Sequence, residues 1–550
     1  MEIGGMPSDE RIVSFAAARN DELIRFACVT LETNHVYPGV NGGSHEAFRN
    51  VYTLDWPDRR PSQDARWRRR SGALPRGGNP FHVAMSRSNP EVILLGGGSS
   101  RGSAPTIFKS ADGGDAWQDI LLTRGNRNIA TGWSGSGGER DWGYGELVFG
   151  LAVHPKDADR FCFTDMGFVH VTTDGGARWR QAYCHPDTQN APGRPIPAGK
   201  SYRSAGLENT SVWHLAWADA ETVWASFTDI RGLRSADGGR SWAFDYGGFR
   251  MNTSYKVVMH PESGALYLAG SSIHDLYQST YLTDRRIDKG RGDVFYSTDK
   301  GESWRTLGEI GKPVVDVALD PTDPKRLYAA VVNSRNGGIY RCDDIAAGSR
   351  ARWTRLAAPP RTEGHPFNVK VLDDGALLCT YSGRRAGRPL KFTASSGVFL
   401  SADGGRTWED RSDPKIHYWT KDAVVDPHDP EQNTWYVGVF SGWGGPANNC
   451  GGLYMTTDRG RNWTRIFDSQ RVTSCTINPD DPGEMYVTTE VDGLWHTGLL
   501  RVPEPTFSLV ESYPFRQPER VFFNPHRPGE VWVTSFGNGL RVGRTRPLAE

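Results

Sequence analysis

Three observations on this 550-residue sequence predict an all-β fold, a large β-propeller of about eight to ten four-stranded blades. One octamer recurs six times, a strand–turn–strand pattern recurs between its copies, and helical periodicity is nearly absent. The 64 Gly, 34 Pro and 19 Trp residues suit short strands joined by turns. A propeller is the natural product of such a repeat, because each sheet buries its faces on its neighbours.

The octamer has the form S/T-x-D-x-G-x-x-W. Its aspartates are Asp112, Asp174, Asp237, Asp299, Asp403 and Asp458. The spacing leaves room for one more copy near Asp344, closed by Trp353. In such a turn the aspartate accepts backbone hydrogen bonds, Gly supplies positive φ, and Trp folds back on the sheet. We therefore expect these six aspartates to be structural rather than catalytic.

A second pattern precedes most copies and indicates an inner strand, a Pro/Asp turn and a second strand. Its clearest examples are residues 151–165, 257–271, 317–331, 423–439, 475–490 and 521–536. Weaker copies begin near Val83, Val212 and Val369. With an N-terminal blade over residues 12–70 and a closing blade over 520–550, the pattern predicts one propeller domain covering residues 1–550.

The net charge and the cysteine content exclude several classes of partner and site. Lys+Arg and Asp+Glu are both 64, so no basic surface favours nucleic acid or a membrane as partner. Seven cysteines without paired spacing predict no disulfide framework and no metal site, and no cofactor motif is present. The N-terminus does not resemble a signal peptide. A native Met1 therefore predicts a cytoplasmic protein, and a removed export signal predicts a secreted or periplasmic one.

The repeat also predicts where a ligand binds. In a propeller, the loops after the second strands share one face with the connections between blades. We expect the residues at these second-strand ends to point toward one mouth: His35, Ser100, Asp165, Asp229, His274, Asp275, Asn333, Arg335, Arg384, Trp443, Glu490 and Asn538. Many of these side chains are ionisable or amides, which a simple turn does not require.

Long connections add aromatic side chains to this face. Residues 124–147 and 184–211 are rich in Gly, and loops of this kind on a rigid scaffold commonly carry function. Stacking on sugar rings is the role predicted for six aromatic residues, with core packing as the competing explanation: Trp133, Trp142, Tyr144, Tyr418, Trp419 and Trp443.

Residues 142–176 carry a family resemblance. The segment WGYGELVFGLAVHPKDADRFCFTDMGFVHVTTDGG resembles the opening repeat of xyloglucan-cleaving glycoside hydrolases, and the octamer is the Asp-box, or BNR repeat, of that superfamily. Sialidases and sortilin-type receptors share the Asp-box more distantly. The resemblance implies that Asp165 matches a catalytic carboxylate. That family has two seven-bladed propellers, for which this chain is too short.

Three functions stay open at this point. The first is a glycoside hydrolase that cleaves a plant or microbial oligo- or polysaccharide with Asp165 and Asp229 as its carboxylates, and with Glu490, Asp275, His274 and Glu146 in reserve. The second is a lyase on a uronic-acid-containing glycan, with His274 or a tyrosine as base and arginine at the substrate carboxylate. The third is a non-catalytic, receptor-like propeller. The predicted substrate-binding residues are Trp142, Tyr144, Trp133, Trp443, Trp419, Arg335, Arg384, His35 and Asn538.

Overall fold

The computed structural model describes residues 3–32, 47–57, 65–100, 104–274, 276, 282–383, 385–386, 391–417, 420–441 and 448–545. The contacts divide the chain into two compact units, Met1–Asn209 and Thr210–Glu550. Ten sheets of three to five strands follow one another in the described residues, together with one two-stranded hairpin. This agrees with the predicted all-β fold and its eight to ten blades.

The first unit holds three of these sheets, the first of which occupies the predicted N-terminal blade. Their strands are β1 Glu10–Arg19, β2 Leu23–Glu32, β3 Phe48–Pro57 and β4 Arg68–Arg69; β5 Gly78–Met85, β6 Ile93–Ser99, β7 Pro105–Ser110 and β8 Gln118–Asp119; β9 Ile129–Ala130, β10 Gly150–His154, β11 Asp157–Thr164, β12 Val169–Thr172 and β13 Trp179–Gln181. In the third sheet, β9 joins the outer edge in parallel with β13. Short 3₁₀ turns cover Ser71–Ala73, Arg124–Asn126, Glu139–Asp141 and Pro186–Thr188.

The second unit holds the other seven sheets. The first three sheets consist of β14 Val212–Trp217, β15 Val223–Phe227 and β16 Gly232–Ser235; of β17 Thr253–Met259, β18 Leu266–Ser271, β19 Val294–Ser297 and β20 Arg305–Thr306; and of β21 Val314–Asp320, β22 Asp323–Val331, β23 Gly338–Cys342 and β24 Trp353–Arg355. The fourth sheet consists of β25 Pro366–Val371, β26 Leu377–Tyr381, β29 Gly397–Ser401 and β30 Glu409–Asp410, and the separate hairpin β27 Arg385–Ala386 and β28 Lys391–Phe392 lies between β26 and β29 in the chain. The last three sheets consist of β31 Thr420–Val425, β32 Trp435–Val439, β33 Gly452–Thr456 and β34 Thr464–Phe467; of β35 Val472–Ile477, β36 Met485–Thr489, β37 Leu494–Thr497 and β38 Ser508–Leu509; and of β39 Pro518–Phe523, β40 Glu530–Ser535 and β41 Leu540–Arg544. One short helix, α1 Asp284–Ile287, and 3₁₀ turns at Ile345–Arg350 and Pro414–His417 lie between them. Across the described residues, no helix has the length and apolar character needed to cross a membrane.

The seven sheets of the second unit close into a ring. Each inner strand contacts the next, and the series ends where β39 and β40 contact β14. At the closure the Gly539 amide donates to the Thr210 carbonyl at 2.9 Å, and the Trp217 and Trp532 rings pack edge to face at 5.5 Å. The repeat spacing predicts one ring for residues 1–550, and this stays a prediction; the ring described here is that of the second unit alone. Closure depends on contacts between sheets far apart in sequence, which the spacing of a local repeat does not encode.

The octamers form the turns expected of them, each after the third strand of its sheet. In the copy at Asp237, Oδ1 accepts from the Ser235 hydroxyl at 2.8 Å and the Ser241 amide at 2.9 Å. In several copies the closing tryptophan donates its Nε1 hydrogen to a carbonyl at the end of the preceding sheet: Trp117 to Arg70, Trp179 to Ile120 and Trp463 to Arg411, the last at 2.7 Å. The seventh, degenerate copy keeps this second feature, because Trp353 Nε1 donates to the Leu307 carbonyl at 2.7 Å.

Candidate functional site

The inner strands of the second unit share one irregularity that shapes its centre. Each carries a β-bulge just after its first residues, and a bulge re-aims the side chain of the extra residue. We call the extra residues the bulge ring: Trp213, Tyr255, Val315, Phe367, Lys421, Thr473 and Glu519. All seven line one central cavity. The residues that follow them form a second ring: His214, Lys256, Asp316, Asn368, Asp422, Ser474 and Arg520.

The ends of the second strands lie beside the bulge ring. In six of the seven sheets the residue before the bulge pairs with the last residue of the second strand, as in Val212 with Phe227 and Val472 with Thr489, and in the remaining sheet Ser254 pairs with Gly270, one residue before the end. The described turn residues that were predicted as candidates in this unit therefore follow strand ends beside the bulge ring, at the mouth of the central cavity: Asp229, His274, Asn333, Arg335, Glu490 and Asn538.

Asp229 and His274 meet at this mouth. His274 Nε2 lies 3.1 Å from Asp229 Oδ1, and their side chains are 51% and 29% exposed. Asn252 Nδ2 donates to the same oxygen at 3.2 Å. The backbone of Asp229 adopts φ 64°, a left-handed conformation that is uncommon outside glycine and that clusters at functional sites.

A hydrogen-bonded chain connects Asp229 with the bulge ring. Trp213 Nε1 donates to Thr228 Oγ1 at 2.9 Å, and this hydroxyl lies 3.4 Å from Thr253 Oγ1. Thr253 Oγ1 in turn donates to Asn252 Oδ1 at 2.7 Å. This donation fixes the Asn252 amide so that its Nδ2 faces Asp229, and the carboxylate is thereby held from the core side.

Charged residues of the bulge ring lie next to Trp213. Lys421 Nζ lies 5.5 Å from the centre of the Trp213 ring and 3.0 Å from Glu519 Oε2. The mouth thus combines an aromatic ring, a cation and two carboxylates, a composition suited to a polyhydroxylated ligand.

The other candidates described in this unit play smaller parts. Glu490 binds Arg471 Nη1 at 2.8 Å and is 19% exposed. Arg335 is exposed and follows Asn333, whose Oδ1 accepts the Arg335 amide as an ordinary turn residue does. Asn538 is half-buried, and its amide donates to Ser535 Oγ at 3.1 Å.

In the first unit, Asp165 is fully enclosed. Its side chain is 0% exposed, and Oδ2 lies 2.8 Å from Nε2 of the equally buried His170. Oδ1 accepts the amides of Gly167 and Phe168 at 2.9 and 2.7 Å, and Oδ2 accepts the Gly145 amide at 3.2 Å. Burial alone would raise the pKa of Asp165, but His170 and the amides lower it below its usual value. Both oxygens of Asp165 are thus bound by the protein, and the catalytic role that the resemblance implies for Asp165 stays a prediction.

The long connection 124–147 is folded over Asp165. Trp133 is only 6% exposed and packs edge-on against Phe168 at 5.2 Å, which favours core packing, the competing explanation, over sugar stacking. Tyr144 is half-buried, and its hydroxyl donates to Asn126 Oδ1 at 2.8 Å. Trp142 is half-buried, whereas Glu146 is exposed and adopts φ 56°.

No protein-family model matches the chain. The curated protein named oligoxyloglucan-reducing end-specific xyloglucanase from Emericella nidulans is 28% identical over 239 residues, 39% of this chain and 26% of that protein. A probable enzyme of the same name from Neosartorya fischeri is 29% identical over 196 residues, 32% of this chain and 22% of that protein. The chain resembles xyloglucan-cleaving glycoside hydrolases. The match spans about a quarter or less of each relative's length.

A solved structure supports the fold. The crystal structure of an ancestral GH74 enzyme matches 100% of this chain and 74% of its own, with a TM-score of 0.60 and 14% identity. At 14% identity this match shows that the two folds are similar, and nothing more.

Six candidates from the sequence lie outside the described residues: His35, Asp275, Arg384, Tyr418, Trp419 and Trp443. Conversely, the structure adds Trp213, Asn252, Lys421 and Glu519, which no motif singled out. Three of these four are bulge-ring residues. An alignment of the seven inner strands in the sequence would have found these three residues. At the position of the bulge it shows Trp, Tyr, Phe, Lys and Glu, whereas a buried strand favours small apolar residues.

Proposed function

We propose that this protein is a glycoside hydrolase that cleaves a plant polysaccharide of the xyloglucan kind, with Asp229 as a catalytic carboxylate. The observation that carries the proposal is the partly exposed Asp229 carboxylate, held by Asn252 and His274 at the mouth of the second unit. The similarity to proteins named xyloglucanase supports the substrate class.

The contacts of Asp229 suit acid–base work. Hydrolysis of a glycosidic bond needs one carboxyl group to protonate the leaving oxygen and a second to assist water or attack the sugar. Within the described residues, Asn252 and His274 both contact Oδ1 of Asp229, and the Asp229 side chain is 29% exposed. Asn252 and His274 thus orient the carboxylate through one oxygen while part of the side chain stays accessible to a substrate.

Asp165 has a different role in this proposal. Its bonds to Gly145, Gly167 and Phe168 fix the connection that carries Trp142 and Glu146. It is a positioning residue, and the exposed Glu146 is the carboxylate that this connection offers to solvent.

The Asp229–His274 contact also favours a second candidate function. In a polysaccharide lyase, a histidine removes a proton beside a uronate carboxyl group, and an aspartate that binds the imidazole would orient it for this step. The two functions differ in which of these two side chains meets the substrate.

A panel of polysaccharides separates the functions. The chain is incubated with xyloglucan, other neutral glucans and uronic-acid-containing glycans, and the products are measured by mass spectrometry and ultraviolet absorbance. We expect fragments of xyloglucan that have gained one water per cleavage. Unsaturated products from a uronic-acid-containing glycan would establish the lyase instead, and binding without any product would establish a receptor-like propeller.

A further inference from the structure

The wall of the central cavity in the second unit extends beyond the bulge ring. Five second-ring residues complete it, one position further along their inner strands: His214, Lys256, Asp316, Asn368 and Arg520. The proposed hydrolysis at Asp229 uses none of these five residues. The cavity is therefore a second place where a ligand can bind, and the chemistry of its wall indicates the class of ligand.

Three aromatic residues of the bulge ring line the cavity. Trp213 and Tyr255 are each 8% exposed, and the centres of their rings lie 5.6 Å apart. Phe367 is half-buried, so its ring is the most accessible of the three. Aromatic walls are typical of cavities that bind small molecules with an apolar face.

The charges that line the cavity are balanced in pairs. Each described lysine or arginine of the wall has a carboxylate partner, at N–O distances of 2.5, 3.0 and 2.8 Å: Lys256 with Asp316, Lys421 with Glu519, and Arg520 with Asp422. A charged ligand would have to compete with these ion pairs for its own counter-ion. Because a charge that leaves water without a new partner costs free energy, the wall favours a neutral ligand.

Asn368 supplies a hydrogen-bond acceptor to the cavity. This residue is 3% exposed, and its Nδ2 donates to Asp316 Oδ2 at 2.6 Å, which fixes the orientation of the amide. Its Oδ1 is buried and has no hydrogen-bond partner among the described residues. A buried acceptor without a donor costs free energy. A hydroxyl group of a ligand can donate to this oxygen.

His214 supplies a second polar atom. Burial, together with the charges of Arg520 and Lys256, holds the pKa of His214 well below its usual value, so the imidazole is neutral at physiological pH. Its Nδ1 is buried and lacks a hydrogen-bond partner in the part of the chain that the structure describes. One nitrogen of a neutral imidazole donates and the other accepts, and a hydroxyl group can bond either one. A ligand with several hydroxyl groups would therefore satisfy both Asn368 and His214.

We propose that the central cavity of the second unit binds one neutral sugar unit. Its hydroxyl groups bond Asn368 Oδ1 and His214 Nδ1, and its apolar face lies toward the ring of Phe367. This binding goes beyond the proposed hydrolysis, because it requires neither Asp229 nor His274. Free monosaccharides contain no glycosidic bond to cleave, so they test the cavity independently of the hydrolase activity.

The test compares neutral and charged monosaccharides on the full chain at constant ionic strength. Glucose, xylose and galactose are the neutral probes, glucuronate carries a carboxylate, and glucosamine carries an ammonium group in slightly acidic buffer. Isothermal titration calorimetry and saturation-transfer NMR measure binding. We expect one site per chain for a neutral sugar, and binding of glucuronate and glucosamine weaker by about fivefold or more.

Two results of this comparison would overturn the proposal. Equal or tighter binding of a charged sugar would show that the site is not one for a neutral ligand. Absence of saturable binding by all three neutral sugars would show that the cavity holds water only.

Variants locate the site. Phe367→Leu removes the aromatic face, and Asn368→Ala removes the buried acceptor, so each should weaken binding of the neutral sugar about threefold to tenfold. Phe507→Leu, at a half-buried phenylalanine of the same unit outside the cavity wall, should match the wild type. Wild-type affinity in either folded variant would overturn the proposal. If Asn368→Ala does not fold, Phe367→Leu decides alone.

Glu519→Gln tests the charge balance of the wall. The variant removes the carboxylate that lies 3.0 Å from the Lys421 ammonium group. The affinity for glucuronate should therefore rise relative to the affinity for glucose. An unchanged ratio in the folded variant would show that the charges of the wall do not select the ligand, and it would contradict the proposal of a neutral site.

Discussion

The Nε2 atom of His274 lies 3.1 Å from Oδ1 of Asp229, and this contact joins the turns of two neighbouring sheets. Asp229 follows β15, and His274 follows β18. Asn252, just before β17, binds the same carboxylate oxygen from a third direction. The candidate site is therefore assembled at the junction of two blades, where the closed ring holds the two turns together.

Asp165→Asn is expected to lower the free energy of unfolding by about 1–3 kcal/mol, because a buried acceptor of three amides loses its charge beside His170. Urea unfolding measures the loss. Asp187→Asn, at an exposed aspartate of the same unit, is the control and should leave stability unchanged. Unchanged unfolding together with lost turnover would return Asp165 to a catalytic role.

Trp133→Ala and Trp142→Ala are expected to separate core packing from substrate binding. Truncation of the buried Trp133 should lower the free energy of unfolding by about 3–5 kcal/mol. Truncation of the half-buried Trp142 should lower it less and should raise the KM for an oligosaccharide, because the ring of Trp142 is partly accessible to solvent. Unfolding curves and steady-state kinetics measure both effects. A KM unchanged in Trp142→Ala would remove this residue from the substrate contacts.

Asp237→Ala is expected to lower the free energy of unfolding by about 1–2 kcal/mol, because the Ser241 amide and two hydroxyl groups lose their acceptor. Turnover per folded molecule should not change. Asp480→Ala, an exposed aspartate in the same unit, is the matched control. Selective loss of turnover at wild-type stability would show that this octamer takes part in the reaction.

Acid is expected to weaken the octamer turns. Desolvation of the Asp458 carboxylate raises its pKa, but hydrogen bonds from Asn462 and Thr456 outweigh this effect and lower the pKa from 3.8 to about 2. A folded-state pKa below the unfolded one means that the stabilisation is present above about pH 4 and is lost as the pH falls toward 2. Thermal unfolding measured between pH 4 and pH 2 checks this expectation. The Asp458→Asn variant should show a smaller fall of Tm over this pH range than the wild type. An identical profile in the variant would contradict this assignment.

Local sequence patterns predict the octamer turns and the second-strand ends, because both depend on residues close together in the chain. Asp165 and Asp229 follow equivalent strands, yet the first is enclosed and the second is partly exposed. The difference comes from residues 124–147, which fold over Asp165 and bury Trp133 with it. Such coverage is a tertiary effect and leaves no mark in the repeat. The same reason applies to Trp213 and Lys421, whose proximity follows from ring closure.

The role of Asp229 is the central claim, and turnover of Asp229→Asn tests it most directly. The variant keeps the shape of the side chain, so its unfolding curve and its KM on a xyloglucan substrate should match the wild type. We expect kcat to fall by at least about 100-fold, the usual scale for an acid–base group, and His274→Gln to lose less. Wild-type kcat in a folded Asp229→Asn, or a larger loss in His274→Gln with unsaturated products, would contradict this account.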